Sequence, residues 1–498
     1  MDKDTRIAWA RQEFSTLDLD HAARTACAVE VLANMGRGSG TRVTDFTQTD
    51  AERQQAYGFL ENDSVVPSQL TFAASEAALS RIPVDDEFCV VAVDGSSLKL
   101  ADEYGAKGFG RVGSFDSTRG LLVQTALAIS GSGVPVGILA QKYWARSLEK
   151  APKRRAAKNR AVQDKETHHW LDVAKTAEEA ANHVEMAGRL WFQLDRGYDS
   201  SAMMDWMADS ANRCTIRGEY NRALWSEDTP SDSEADAELH NFIKDALDAA
   251  PVLSEMALRV EGNPDRTARM ATMEVQVAKV NVRLSDPSRR KSVKGKNGKR
   301  RPVDFFWPRT LTAVRAREAG TTPAGEKPLQ WMLWVNFTVD SVHLAQTVVR
   351  MYSYRWRIEE FHRMWKSGAM KVEQTQARSG ENVERIARLS AIVACRILRL
   401  TRLARDTPDA PASDELSRTE ITVLTQMDPR SPKQAPRPQK PGSLAWAIAV
   451  IADMGGYTGK SSGGPPGPMV VARGFQRMRD RAEGFDAAIQ SLKNRDQW

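Results

Sequence analysis

Cysteine is scarce in this chain, with four in 498 residues. Cys27, Cys89, Cys214 and Cys395 are widely separated, with no CxxC pair and no Cys/His cluster at zinc spacing. That excludes a disulfide framework and a structural zinc ribbon, and it suits free thiols in a reducing compartment. Histidine is nearly as rare: His168 and His169 stand beside Trp170 with no partner at ligand spacing, and they read as surface residues. No apolar run reaches membrane-spanning length, and the N-terminal MDKDTRIAWARQEF lacks the apolar core of a secretory signal. The expectation is a soluble, cytoplasmic protein. Nor does charge of one sign dominate, since 70 Lys and Arg against 64 Asp and Glu leave a net +6. The basic residues cluster, however, which is compatible with a polyanionic partner. A hydrophobic fraction of 41% supports a sizeable core, and the length suits about three domains.

Residues 5–80 read as helical, with a glycine-rich basic turn, MGRGSGTRVTDF, that carries Arg37 and Arg42. Such turns suit contact with DNA phosphates. FCVVAVDG at 88–95 is a short, nearly continuous apolar run, the mark of a strand buried on both faces, and it ends at Asp94. With Leu121–Ile129 and Val134–Ala140 it suggests an antiparallel meander. Residues 149–165 form a polar, basic connector, followed by a helix over 165–186. LWFQLD at 190–195 repeats the pattern of an apolar run ending in an acid, Asp195. A helix is expected from Ser200 and a short strand over Cys214–Arg217. Strands alternating with helices argue for a mixed α/β core.

From about 219 to 340 the pattern turns to β. ATMEVQVAKVNVRL at 271–284 alternates as a hairpin or a long strand, and residues 286–302 read as an exposed basic loop. LQWMLWV at 329–335 reads as a buried strand on which Trp331 and Trp334, three apart, face opposite ways. The chain beyond 406 reads as helices broken by the Pro/Gly-rich linkers DPRSPKQAPRPQKPG and GKSSGGPPGP. Gly459-Lys460-Ser461 is no phosphate loop, because Met454 stands where a glycine is required and no strand leads in.

The stretch YSYRWRIEEFHRMWK, 352–366, has no Pro or Gly and reads as one helix. At roughly 100° per residue Tyr352, Arg355, Glu359 and Lys366 share a stripe about 60° wide, and Glu360 leaves it. Met351, Tyr354, Ile358, Phe361 and Trp365 gather on a second face. The carboxylates Asp94, Asp195 and Glu359 are too far apart in sequence for a local motif, so only the fold can unite them. Three acids beside Arg, Lys and Tyr suit divalent cations and phosphodiester chemistry, whereas singly each reads as a turn residue, a cap or a solvated charge.

The spacing Y-(2)-R-(3)-E-(6)-K at Tyr352, Arg355, Glu359 and Lys366 resembles the signature of bacterial insertion-sequence transposases of the IS-four family. VDGSS at 93–97 resembles that family's first-aspartate motif and LDRGYDS at 194–200 its second. The N-terminal WARQEF segment and the C-terminal GGYTG…GPPGPMVVARGFQRMRD segment are also similar, so the resemblance runs nearly end to end. It implies an α/β, RNase H-like catalytic core over 81–405 with a β-rich insertion at about 219–340. A helical DNA-binding domain over 1–80 precedes the core, and a helical, dimerising domain over 406–498 follows it. It further implies an Asp94, Asp195, Glu359 triad holding two Mg²⁺ ions, which Mn²⁺ can replace. The reaction is cut-and-paste transposition: nicking at the element's end, hairpin formation and strand transfer into target DNA. The partner is double-stranded DNA (terminal inverted repeats and target), bound by a homodimer in a synaptic complex on the nucleoid. Tyr352, Arg355 and Lys366 are expected to hold DNA. Trp331, with Trp356 as a second candidate, is expected to stack on an extruded base, and Arg217 to bind the end. The competing readings are a catalytically silent inhibitor of transposition, which an intact triad disfavours, and a plain RNase H-like nuclease, for which the terminal helical modules are superfluous.

Overall fold

Cys-Val-Val-Ala-Val has the β-branched, apolar texture of a strand covered on both faces. In the computed structural model of the chain those five residues are buried and open a strand, β1 (Cys89–Lys99). The structure describes residues 3–37, 40–102, 107–113, 118–148, 166, 168–225, 241–260, 262, 266–294, 300–428, 439–459 and 464–495. The further strands among them are β2 (Gly110–Arg111), β3 (Arg119–Ile129), β4 (Pro135–Trp144), β5 (Leu190–Leu194), β6 (Arg213–Arg217), β7 (Val252–Val260), β8 (Arg269–Lys294), β9 (Arg300–Glu318) and β10 (Gln330–Val335). Strands and helices alternate through the middle of the chain in a mixed α/β architecture, consistent with an RNase H-like DDE fold. The connector at 149–165 lies outside the described residues, as do most of the first Pro-rich linker and Lys460–Gly463 of the second.

The chain divides into two units. One comprises Met1–Asp86, Gly95–Leu148 and Arg357–Trp498; the other comprises Glu87–Asp94 and Glu149–Trp356.

In the second unit β1, β5 and β6 are parallel neighbours, β10 joins β6 antiparallel, and β9, β8 and β7 follow antiparallel. The register sets Val93 opposite Leu194, and Leu194 opposite Ile216. Trp191, Trp334 and Phe192 are among its fully buried side chains. The helix Ser201–Asp209, capped by the Ser200 hydroxyl, packs on β8 and β9, where Asp205 accepts from Trp307 and Arg309. The helix Val342–Ser353 packs on β7.

In the other unit β3 and β4 form an antiparallel pair against the helix Pro67–Leu79. The long helix Gly380–Asp406 also packs on β4. Its Arg385 is buried and donates to the carbonyls of Leu60 and Val65, and its Arg388 donates to Thr71 and to the Gln141 carbonyl. Helices 444–454 and 468–495 approach so closely that a Cβ at Gly474 would lie 1.7 Å from the Ile451 carbonyl oxygen. Among the described residues no helix is long and apolar enough to cross a membrane.

Several expectations change. β1 does not stop at Asp94 but runs on to Lys99; the expected neighbours β1, β3 and β4 do lie side by side, and β1 pairs on its other edge with the parallel β5. Residues 271–284 belong to one 26-residue strand, and the expected loop at 286–302 is largely β8 and β9 paired with each other; only 295–299 fall outside the described residues. The stretch 352–366 is not one helix either. The helix Val342–Ser353 ends, Tyr354–Trp356 forms a single 3-10 turn, and a new helix runs Arg357–Lys366. A tighter turn rotates more per residue, so a stripe computed at a single α-helical pitch does not describe 352–366.

Candidate active site

Alternation along a strand and the register across strands decide where the acids of the second unit stand. Asp94 follows five buried residues and is partly exposed. Because Val93 pairs with Leu194 and Leu194 with Ile216, the next positions, Asp94, Asp195 and Arg217, line up across three adjacent strands and share one face. Neighbouring strands lie about 4.8 Å apart, so two carboxylates of like charge stand side by side with a guanidinium beyond. Asp195 closes β5 as the cap of the 3-10 turn Arg196–Tyr198, its Oδ1 accepting from the Gly197 N–H at 2.7 Å. That bond fixes the carboxylate's direction. Asp94, by contrast, is neither a turn residue nor a cap, because its strand continues past it.

The 3-10 turn brings a cation onto this pair. Arg355 Nη1 donates to Asp94 Oδ2 at 3.2 Å, with the two side chains 12% and 20% exposed. Tyr352, one turn earlier, is buried edge-on against Trp331, with ring centroids 5.1 Å apart. Burial raises the Tyr352 hydroxyl's pKa, against the pull of the Arg355 and Arg217 cations, and Asp195 adds to the rise. Trp331 lies on the same face of β10 as Leu333, the partner of Arg217, while Trp334 points to the other face and is fully buried. Arg217, Trp331, Tyr352, Arg355 and the half-exposed Trp356 line a cavity of about 350 Å³ together with Arg266 and Gln330. The last two carried no signal in the sequence: Arg266 lies outside the patterned segments, and Gln330 is an unremarkable first residue of β10. Three guanidiniums and three aromatic rings around one cavity can hold phosphate oxygens and offer a stacking surface to a base.

The other unit holds the remaining signature residues. On the helix Arg357–Lys366, Ile358, Phe361 and Trp365 are buried, and the Trp365 indole donates to the Ala387 carbonyl and the Ser390 hydroxyl. Glu360 is held by Arg357 and Arg402, so its charge is spent on the unit's own packing. Glu359 is partly exposed. Lys366 donates to Ser96 Oγ at 3.2 Å and pairs with Glu373 at 3.7 Å.

Of the two basic-turn residues, Arg42 is exposed, but Arg37 is buried against Glu52 and Glu483. Two carboxylates already satisfy Arg37, which removes it from the surface that could meet phosphates. His168 and His169 do have a partner after all: Asp172 stands 4.0 and 3.8 Å from them, one helical turn on. Among the described residues this is the only group of three or more potential metal-ligand side chains whose atoms converge within 4.8 Å. It includes neither Asp94 nor Asp195.

The donor chemistry at Asp94 and Asp195 is hard carboxylate oxygen without thiolate or imidazole. That fits Mg²⁺ or Mn²⁺ and argues against zinc. Two adjacent anions, one of them paired with a guanidinium, and a cationic, aromatic cavity are a setting for a phosphodiester and a divalent cation. Residues 86–396, more than half of the chain, match the family described as transposase DDE domain. Proteins of that kind use divalent metal ions and act on DNA, and the chain belongs to this family: it is a transposase of the DDE superfamily.

Proposed function

We propose that this transposase excises and inserts an insertion sequence by cut-and-paste, nicking one strand at each element end, closing a hairpin and transferring the strand into target DNA. The observation that carries the reading is the pair of carboxylates at matching positions of β1 and β5, with Arg355 on Asp94 and the arginine-rich, aromatic cavity alongside. Asp94, Asp195 and, from the resemblance of its helix, Glu359 serve as carboxylate ligands for two Mg²⁺ ions, which Mn²⁺ can replace. When bound, the ions supply Lewis-acid stabilisation of charge on the attacking and leaving oxygens. Arg355 pairs with Asp94 and, released from it, offers donors with Lys366 and Arg217 to non-bridging phosphate oxygens. Tyr352 keeps its proton at neutral pH and so acts as a donor. Trp331 presents a ring edge-braced by Tyr352, suited to stack on a base drawn out of the duplex; Trp356 is the second candidate. The helical ends, 1–80 and 406–498, are assigned to DNA binding and to dimerisation in a synaptic complex on paired inverted repeats.

The test is to incubate the full chain with a duplex ending in the element's inverted repeat and with Mg²⁺, resolving products on a denaturing gel. A nick leaving a 3′-OH, followed by a hairpin, is expected. Cleavage without a hairpin would reject the hairpin route, and no cleavage at all would reject the assignment.

A further inference from the structure

The helix His168–His183, in the second unit, opens with two adjacent histidines. Its buried residues, Val173, Ala174, Ala177, Ala180 and Ala181, gather on one face. At roughly 100° per residue His168, His169 and Asp172 centre about 130° away from that face. Their side chains are 35%, 15% and 41% exposed, so an ion can reach them from solvent. Trp170 falls on the inward side by the same count, and its ring lies against the buried Tyr198 with centroids 4.2 Å apart.

His168 Nε2 and His169 Nδ1 stand 4.0 and 3.8 Å from Asp172 Oδ2, and the two imidazole centroids are 3.8 Å apart. Both separations from the carboxylate exceed a hydrogen bond. They are only about 0.5–0.7 Å longer than the roughly 3.3 Å between two ligand atoms of a tetrahedral ion bound at about 2.0–2.1 Å. Side-chain torsions at a partly exposed site can close that gap. An ion pair along the helix needs one imidazole, and protonating the second beside it adds like charge. A divalent ion instead takes both imidazoles neutral, with the carboxylate as third ligand. Two nitrogens and one oxygen suit a borderline ion such as Zn²⁺ and leave a fourth position for water. That donor set differs from the hard oxygens of Asp94 and Asp195.

We propose that His168, His169 and Asp172 form a second metal site, for a borderline divalent ion of the Zn²⁺ class, which braces the first turn of this helix. Through Trp170 that turn bears on Tyr198, whose N–H donates to the Asp195 carbonyl at 3.1 Å. An ion here therefore steadies the turn that Asp195 caps, without touching the reacting atoms. The test uses the metal-stripped full chain carrying D94N/D195N, which removes the acidic pair as a competing site. Zn²⁺ is titrated into it by calorimetry in excess Mg²⁺, and one Zn²⁺ per chain is expected. Adding H169A or D172N should weaken that binding at least about a hundredfold, since even an outer-shell partner of a metal ligand contributes about 10- to 100-fold. Adding H343A, which removes an exposed histidine elsewhere, should leave it unchanged. Zn²⁺ should also slow amide exchange over 168–172 and over Arg196–Tyr198. No uptake by the D94N/D195N chain would overturn the site, as would uptake that H169A and D172N leave intact. Uptake with unchanged exchange at Arg196–Tyr198 would overturn the bracing of the Asp195 turn.

Discussion

Replacing Arg355 by glutamine separates what this residue does for Asp94 from what it does for DNA. The guanidinium stands 3.2 Å from Asp94 Oδ2 with both side chains mostly buried. At an effective dielectric of about 20 that separation corresponds to a gross attraction of about 5 kcal/mol. Desolvation cancels most of it, leaving a net of about 1.5–3 kcal/mol for a hydrogen bond between charged groups. A divalent cation approaching Asp94 and Asp195 must displace this bond. Arg355→Gln should therefore bind Mn²⁺ more tightly in the absence of DNA, by about 10- to 150-fold when that energy is converted at about 1.4 kcal/mol per tenfold. Titration followed by the EPR signal of free Mn²⁺ measures this directly on the full chain. Unchanged or weaker Mn²⁺ binding would refute the idea that the guanidinium competes for the same carboxylate.

Three further outcomes follow from the geometry. Glu420 is buried with Arg479 and near Arg396; burial works against its charge, but the two guanidiniums outweigh it and lower its pKa below 4.5. Its contribution is thus present above about pH 4.5 and lost as pH falls below it, and Glu420→Ala should cost about 3–5 kcal/mol in urea unfolding at pH 7 by stranding a buried cation. Trp334→Ala should cost about 3–5 kcal/mol of stability as a core truncation; Trp331→Ala should leave stability nearly unchanged and instead weaken 2-aminopurine extrusion at the element end by about 1–3 kcal/mol. Burial raises the Tyr352 pKa above 10, so the phenol's contribution is intact below pH 10 and fades above it. Absorbance at 295 nm should show Tyr352→Phe losing one tyrosinate step that lies above pH 10.

Much of the scaffold could be read from residue texture. FCVVAV and LWFQL are strands because nearly every residue is apolar, and a strand buried on both faces needs that. What pattern could not supply was pairing. Nothing local in FCVVAVDG indicates that its partner is Leu190–Leu194 in parallel, yet that pairing alone sets Asp94 beside Asp195. The apolar run also misled at its end: β1 continues through Gly95 and Ser96 because the strand has backbone partners there, which composition does not reveal. The basic segment 286–302 read as a loop for a related reason. Its charge argues against burial, but a ribbon paired on one edge needs no burial to be a strand.

The site divides in the same way. The spacing of Tyr352, Arg355, Glu359 and Lys366 was visible, but its helical-wheel explanation was not the right one. Tyr-Arg-Trp at 354–356 forms a 3-10 turn without any proline or glycine to announce it. Trp331 against Trp334 was decided correctly in kind by alternation, since residues three apart on a strand must face opposite ways. Arg37 failed as a surface cation because its partners, Glu52 and Glu483, come from 15 and 446 residues away in sequence. Arg266 and Gln330 could not have been nominated, since their only distinction is the cavity they share.

Strand cleavage by single-residue variants is the most direct measurement of whether the three carboxylates carry the reaction. Asp94→Asn, Asp195→Asn and Glu359→Gln remove one charge each with little change of shape. Each is expected to bind end DNA as the unaltered chain does and to lose Mg²⁺-dependent nicking by at least about a thousandfold. Nicking at the parental rate by any one of them would contradict the assignment of that residue and, with it, the proposed active site.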